Sequence, residues 1–353
     1  MTDATAPTLI VGPAWVGDMV MAHSLVQALK AQTPDTRIDI LAPPATAPIA
    51  RLMPDVGKVI EIGVRRGRLG ARARWQVGRA LSQTRYGLAI VLPRSWKSAL
   101  VPALARIPGR RGYRGELRYG LLTDIRPDVA HRDGRTVDKF VALSVPVGGE
   151  AMPAPDPVLS VDPAAANVTL DTFGLDPGAS HVALCPGAEF GPSKQWPIAS
   201  FAALAARLVQ EGHRPVVLGT GQDRDAGATI AKAAPDTIDL TGRTRLEEAG
   251  HILSVASAVV TNDSGLMHVA AALGRPVLAL FGSTSAKITP PLGARAAVIN
   301  RELPCRPCFE RTCPLGHHDC LRSIMPDEVA TRLSDLMAAK VAMADTPGSR
   351  EAS

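Results

Sequence analysis

The sequence predicts an α/β protein of two Rossmann-like, doubly wound parallel-sheet domains facing a central cleft. Three observations carry this reading. The chain has 353 residues, too many for one ordinary domain and enough for two cores. Short apolar runs alternate with segments of helical periodicity along its length, the pattern of parallel sheets covered on both faces. Both halves also open alike, with an apolar strand, a Gly/Pro turn and an amphipathic helix.

The first half begins with TLIVGPAWVGD (Thr8–Asp18), a strand and turn, after which Ala22, Leu25, Val26 and Leu29 form a helical stripe. Strands are expected at Ile38–Pro43, Lys58–Gly63 and Leu88–Pro93. The Pro/Ala-rich segment Ala151–Ala166 reads as the linker between a first domain over 1–160 and a second over 167–325. HVALCPGAEFGPSKQWP (His181–Pro197) restarts the pattern, and Phe201, Leu204, Ala205 and Leu208 give the next stripe. Further strands are expected at Pro215–Gly221, Thr237–Gly242, Ala258–Asp263 and Pro276–Gly282. A last helix is expected over 326–341, with Val329, Leu333, Leu336 and Met337 on one face. The polar tail from Ala344 reads as disordered.

Two domains of this kind bind ligands at the carboxyl ends of their strands, in the cleft between them. In AVVTNDSGLMHVAAALGRP, a strand ends at Asp263, and Ser264 and Gly265 open a helix with Leu266, Val269, Ala270 and Leu273 on its apolar face. The free N–H groups and positive dipole end there suit a pyrophosphate. His268 lies roughly opposite the apolar stripe. It either faces the cleft or is a surface histidine beyond an ordinary Asp/Ser cap. The loop PGAEFGPSKQWP offers one cation, Lys194, to hold a phosphate, against the alternative of an exposed surface lysine. Asp18 is either an N-cap or a carboxylate placed to take a proton as general base. The turn before it is not GxGxxG, which argues against a nicotinamide cofactor.

Between Arg51 and Arg118 stand 16 Lys and Arg against Asp55, Glu61 and Glu116, a local balance of +13 in a chain of net +6. The remainder therefore carries −7. Such a field attracts a polyanion or an anionic membrane surface, unless it is simply a solvated face. Aromatic residues are only 4% of the chain, too few for the stacking platforms of single-stranded nucleic acid. No apolar run reaches 18 residues and no basic leader precedes the first strand, so the expected location is cytoplasmic. The five cysteines are then reduced thiols or metal ligands. Cys305, Cys308, Cys313 and Cys320 fall within 16 residues, a spacing that fits a structural zinc site, an iron–sulfur site or unliganded thiols. Cys185, alone in a strand, reads as a small core residue.

Taken in order, GPAWVGDMVMAHSL, LPRSWKSALVP, YRGELRYGLL, CPGAEFGPSKQWP and TNDSGLMHVAAALGRP resemble glycosyltransferase family nine, the ADP-heptose–lipopolysaccharide heptosyltransferases, in the second-heptose branch. The resemblance covers most of the chain. It implies a GT-B fold, in which the last helix over 326–341 crosses back onto the first domain, and an inverting transfer from ADP-heptose to the first heptose of the lipopolysaccharide inner core, without a catalytic cofactor. Asp18 matches the family's proposed base and Lys194 its phosphate-contacting lysine. Asp263, Ser264, Gly265 and His268 match the donor turn. Gly187 falls in the same donor loop as Lys194, and Arg243, Thr244 and Leu246 match the segment beside adenine. Arg65, Arg66, Arg68, Arg94 and Lys97 would then hold the anionic acceptor, with peripheral contact at the inner face of the inner membrane and no nucleic acid. The rival readings are another heptosyltransferase, a GT-B nucleotide-sugar epimerase, which would need no lipid acceptor, and a zinc-stapled nucleic-acid-binding protein, which would not need Asp18.

Overall fold

A computed structural model describes residues 6–64, 68–127 and 134–339. In the first half, strands β1 (Thr8–Val11), β2 (Ile38–Ala42), β3 (Val56–Glu61), β4 (Leu88–Val91), β5 (Gly109–Tyr113) and β6 (Asp124–Arg126) form one sheet. Its helices are α1 (Val16–Gln32), α2 (Ala47–Arg51), α3 (Ala71–Leu81), α4 (Trp96–Leu104) and α5 (Thr136–Val141). All its pairings are parallel, in the order β3-β2-β1-β4-β5-β6.

The second half opens on α6 (Pro163–Phe173) and continues β7 (His181–Cys185), α7 (Ile198–Gln210), β8 (Arg214–Val217), α8 (Arg224–Ala233), β9 (Ile238–Asp239), α9 (Leu246–Val255) and β10 (Ala258–Asn262). It ends with α10 (Gly265–Ala272), β11 (Val277–Phe281), β12 (Ala296–Asn300), α11 (Asp319–Arg322) and α12 (Pro326–Ala338). This sheet, also parallel, runs β12-β11-β10-β7-β8-β9, the same strand order as the first. The GT-B expectation of two Rossmann-like sheets is met. The switch points lie between β1 and β4 and between β7 and β10, where ligands bind in open parallel sheets.

Interior strands match the apolar runs: β1, β2, β7, β10 and β11 are buried throughout. The stripe of α7 (Phe201, Leu204, Ala205 and Leu208) is buried as its spacing predicts. Three strands lay outside the expected set: β5 (GRRGY), β6 (DIR) and β12 (AAVIN), all toward sheet edges. The first two are rich in arginine because Asp124 gathers it. Arg111 Nε and Arg126 Nε each lie 2.7 Å from an Asp124 oxygen, and the same guanidiniums donate to the carbonyls of Leu143 and Val145.

The segment read as linker is held along its length. Gln27 Nε2 donates to Asp156 O, Val158 N donates to His23 Nδ1, Leu159 N to Ala272 O and Ser160 N to Leu52 O. Its last residues, Pro163–Ala166, already belong to α6, because Asp162 caps that helix through Ala164 N at 3.0 Å and Pro163 fits its first turn. The last helix does not bear out the expected crossing. Val329, Ala330 and Leu333 of α12 are buried in the second domain's cluster, against α7, β10 and β11, and Arg207 ties it to α7 through Asp327 at 2.8 Å. Trp196, fully buried, fixes the approach to this helix by donating Nε1–H to Ile324 O.

Helix α1 is buried almost all round because it packs on its own sheet, on α5 and on α10 of the other domain. One apolar cluster therefore runs from Met19–Leu29 across to Met267–Ala272. At this junction the two helix starts approach so closely that side chains are excluded. A Cβ on Gly17 would lie 2.5 Å from His268 Cδ2, and one on Gly265 would lie 2.7 Å from Val16 Cβ. Gly17→Ala should therefore wedge the helices apart and lower stability by about 1–3 kcal/mol, the usual effect of overpacking. Urea unfolding measures this, and an unchanged midpoint would mean that the junction does not bear on stability.

Candidate functional site

The carboxyl ends of both sheets supply the site. Asp18 stands in the first turn of α1, just past β1 and one residue after the glycine that admits His268. Its carboxyl is raised to about 6 by burial, and the nearby Lys194 ammonium pulls it back part of the way. The N-cap position of α1 is Trp15 and Asp18 lies inside the first turn, so the N-cap alternative fails. Its neighbour in charge is a lysine from the other domain.

Lys194 ends the short helical turn Pro192–Lys194 in the loop after β7. Its Nζ lies 2.6 Å from Asp263 Oδ2 and 5.0 Å from the centre of the Phe190 ring. Asp263, buried at the end of β10, accepts a second bond on the same oxygen from Thr284 Oγ1 at 2.5 Å. Asn262 joins the two loops: its Oδ1 accepts from Trp196 N at 3.0 Å and its Nδ2 donates to Pro186 O at 2.6 Å. The loop of Lys194 and the turn of Asp263 are thus one hydrogen-bonded unit.

Ser264 occupies the N-cap position of α10 with extended backbone, yet its hydroxyl makes no cap bond and instead lies 3.1 Å from Thr261 Oγ1. The first N–H groups of α10 therefore receive nothing from that side chain. His268 is buried against α1, which rules out the surface alternative. Burial pushes its imidazole down to about 4, with Asp263 opposing and Lys194 reinforcing the shift, so the ring is neutral near pH 7. Its Nδ1 has no hydrogen-bond partner.

Gly187 sits in the loop after β7, where a Cβ would come 2.7 Å from Asp223 Oδ2; that carboxylate also binds Thr220 N and Oγ1. Thr244, partly buried, lies between β9 and α9. Both therefore belong to the second sheet's carboxyl edge. Arg94 lies in the loop after β4, the strand paired with β1, and Lys97 in the first turn of α4, and Arg68 is exposed in the segment after β3. Arg65 and Arg66 lie outside the described residues.

Sequence reasoning missed Thr284, Asn262 and Gly17, and also Arg118. The last is a buried arginine whose guanidinium donates to the carbonyls of Pro93 and Tyr113, lowered to about 10 by burial and by Arg94, with Glu116 opposing. The Asn of TND carried a usable signal, since a buried amide must find partners. Arg118 was concealed within the basic stretch.

A family model for glycosyltransferase family 9 (heptosyltransferase) matches residues 74–318. The chain is 39% identical over 340 residues to lipopolysaccharide heptosyltransferase 2 of Escherichia coli strain K12, spanning 93% of this chain and 98% of that protein. It is 40% identical over 343 residues to lipopolysaccharide heptosyltransferase 2 of Salmonella typhimurium strain LT2, spanning 94% and 98%. The solved structure of E. coli ADP-heptose lps heptosyltransferase II superposes with a TM-score of 0.83 at 38% identity, over 94% of this chain and 98% of that one.

The raised Asp18 carboxyl sets a pH dependence. A base must be ionised, so kcat/KM should fall about tenfold per pH unit once the pH drops below about 6, and level off above it. Asp18→Asn should remove that limb and lower turnover by about 10²–10⁴-fold. A variant keeping the same acidic limb would assign the titration to another group.

Proposed function

The chain belongs to glycosyltransferase family 9, the heptosyltransferases, and on that footing we propose that it transfers an L-glycero-D-manno-heptosyl group from ADP-heptose to the first heptose of the lipopolysaccharide inner core. The observation that carries this reading is the meeting of Asp18, from the first sheet, with the Lys194–Asp263 pair of the second. A base on one domain and a phosphate-binding cation on the other is what a displacement between two substrates requires.

In the proposed reaction the Asp18 carboxylate takes the proton of the acceptor hydroxyl as its oxygen attacks the anomeric carbon. The bond from that carbon to the donor's phosphate oxygen breaks on the opposite face, inverting the centre and releasing ADP. An ammonium has three donor hydrogens, so Lys194 can keep Asp263 and also hold a phosphate oxygen. Together with the uncapped N–H groups of α10 it opposes the charge growing on the leaving pyrophosphate, a task a divalent cation performs in other transferases. Gly187 and Thr244 line the donor half of this reading. Arg65, Arg66, Arg68, Arg94 and Lys97 make up the acceptor half, with the basic surface resting against the inner face of the inner membrane.

Incubation with ADP-heptose and a mono-heptosylated core acceptor should give a product heavier by one heptose in the mass spectrum; ADP release with no gain on that acceptor would overturn the reading. Lys194→Ala should weaken donor binding, measured by calorimetry, and slow turnover together, because the phosphate charge is present before transfer and grows during it. An effect confined to acceptor KM would move Lys194 to the other half-site. Replacing Arg65, Arg66 and Arg68 with Gln should raise acceptor KM and reduce binding to anionic vesicles by up to about a hundredfold at low salt, leaving ADP affinity unchanged. Equal behaviour of variant and parent in both assays would make these residues a solvated face.

A further inference from the structure

Between β12 and α11 the chain runs through residues 301–318 without a helix or strand. Loops of this length without regular structure need something other than a core to fix them. Four of the five cysteines lie here or at the first turn of α11. Cys305, Cys308, Cys313 and Cys320 line a common void of about 20 Å³, with His317 and His318 at its rim. No disulfide joins them. The loop turns back after Cys313, where Gly316 N donates to the Cys313 carbonyl at 3.2 Å. His317 Nδ1 accepts from Asp319 N at 2.9 Å, and the four thiols alone make up a complete tetrahedral ligand set.

The same loop is bonded to the donor side of the cleft. Ser193, next to Lys194, donates its N–H to Arg311 O at 3.2 Å and its hydroxyl to Glu310 O. The Arg311 carbonyl packs so closely on Gly191 that a Cβ would lie 2.5 Å from it. Phe309 N donates to Ser283 O, and Arg306 donates to the carbonyls of Gly282 and Thr284, the residue whose hydroxyl binds Asp263. Whatever fixes residues 305–320 therefore fixes the supports of both Lys194 and Asp263.

We propose that Cys305, Cys308, Cys313 and Cys320 form a tetrathiolate site for a zinc ion that pins the Lys194 loop. Among the described residues no group of three or more His, Cys, Asp or Glu is already gathered to hold an ion, so loading draws the sulfurs inward upon the void. Each thiol gives its proton to solvent as its bond to zinc forms, leaving a cluster of net charge −2. The Arg306 guanidinium, between Cys305 and Cys308 in the chain, offsets part of that charge.

The test uses the full chain, prepared with zinc and reductant. Elemental analysis should find about one zinc per chain. After stripping with a chelator, titration with Co²⁺ should produce the thiolate-to-cobalt charge-transfer band and the visible bands of tetrahedral cobalt. Cys185→Ala, in the buried strand β7, should keep both, whereas Cys308→Ser with Cys313→Ser should lose both. A stripped wild-type chain that gives no charge-transfer band overturns the site, whatever the folding of the variants. Hydrogen exchange over residues 190–195 should be about tenfold or more faster in the stripped protein. Equal exchange with and without zinc overturns the pinning. Neither readout depends on the transfer reaction, so a failure here is distinguishable from a failure of the proposed activity.

Discussion

The structure depends on how closely two helix starts approach each other. Helices α1 and α10 follow the first strand and the fourth strand of two sheets with the same strand order, so each begins at the carboxyl edge of its sheet, beside or at its switch point. Their contact is possible only where Gly17 and Gly265 leave room for His268 and Val16. Asp18 follows one of these glycines and Asp263 precedes the other by two residues. The packing that joins the domains therefore also brings Asp18 together with the Lys194–Asp263 pair. His268 keeps this junction apolar in effect, since burial holds its ring neutral and no proton on it adds charge beside Lys194.

Electrostatics at the junction follow from the same burial. Withdrawing Asp18 from water makes its carboxylate a stronger base, while the Lys194 ammonium keeps the shift from becoming so large that the group stays protonated. With its carboxyl at about 6, Asp18 is roughly nine-tenths ionised at pH 7 and still poised to accept a proton. Lys194 in turn owes its place to Asp263, and Asp263 to Thr284, so the position of this ammonium is set by a chain of short bonds and not by a free side chain.

Much of this was legible in the residues. The buried strands β1, β7, β10 and β11 are mostly apolar runs and β2 is one broken only by Asp39, and the turns after β1 and β10 put Asp18 and Asp263 at the carboxyl edges of the two sheets, with a plain helix cap as the alternative for each. Strands β5 and β6 were not legible, because their arginines look like a solvated face until Asp124 and the carbonyls of Leu143 and Val145 are in view. The partner of α12 was not legible either: an apolar stripe says that a surface is buried, without saying against which domain. For His268 the helical period gave the side of the helix correctly but could not tell that another domain covers it. Pairings such as Lys194 with Asp263 join distant segments and leave no local pattern.

The charge distribution divides the two substrates by range. Of the residues that make up the local +13, Arg110, Arg111 and Arg118 are partly or largely bound up in carbonyl and carboxylate contacts, yet their charge still adds to the field of the first domain. That field acts over about a Debye length, roughly 8 Å at physiological ionic strength, and does not require precise placement of any one side chain. The second domain over 167–325 is balanced, with 14 Lys and Arg against 14 Asp and Glu, so it offers a pyrophosphate no general attraction. On the proposed function donor binding then rests on a few contacts of fixed geometry, and Lys194 is indeed bonded into place by Asp263 while Arg68 is exposed in the segment after β3. Salt should accordingly weaken capture of an anionic acceptor much more than it weakens the hold on the nucleotide, because the half-buried Lys194 contact is shielded from screening ions.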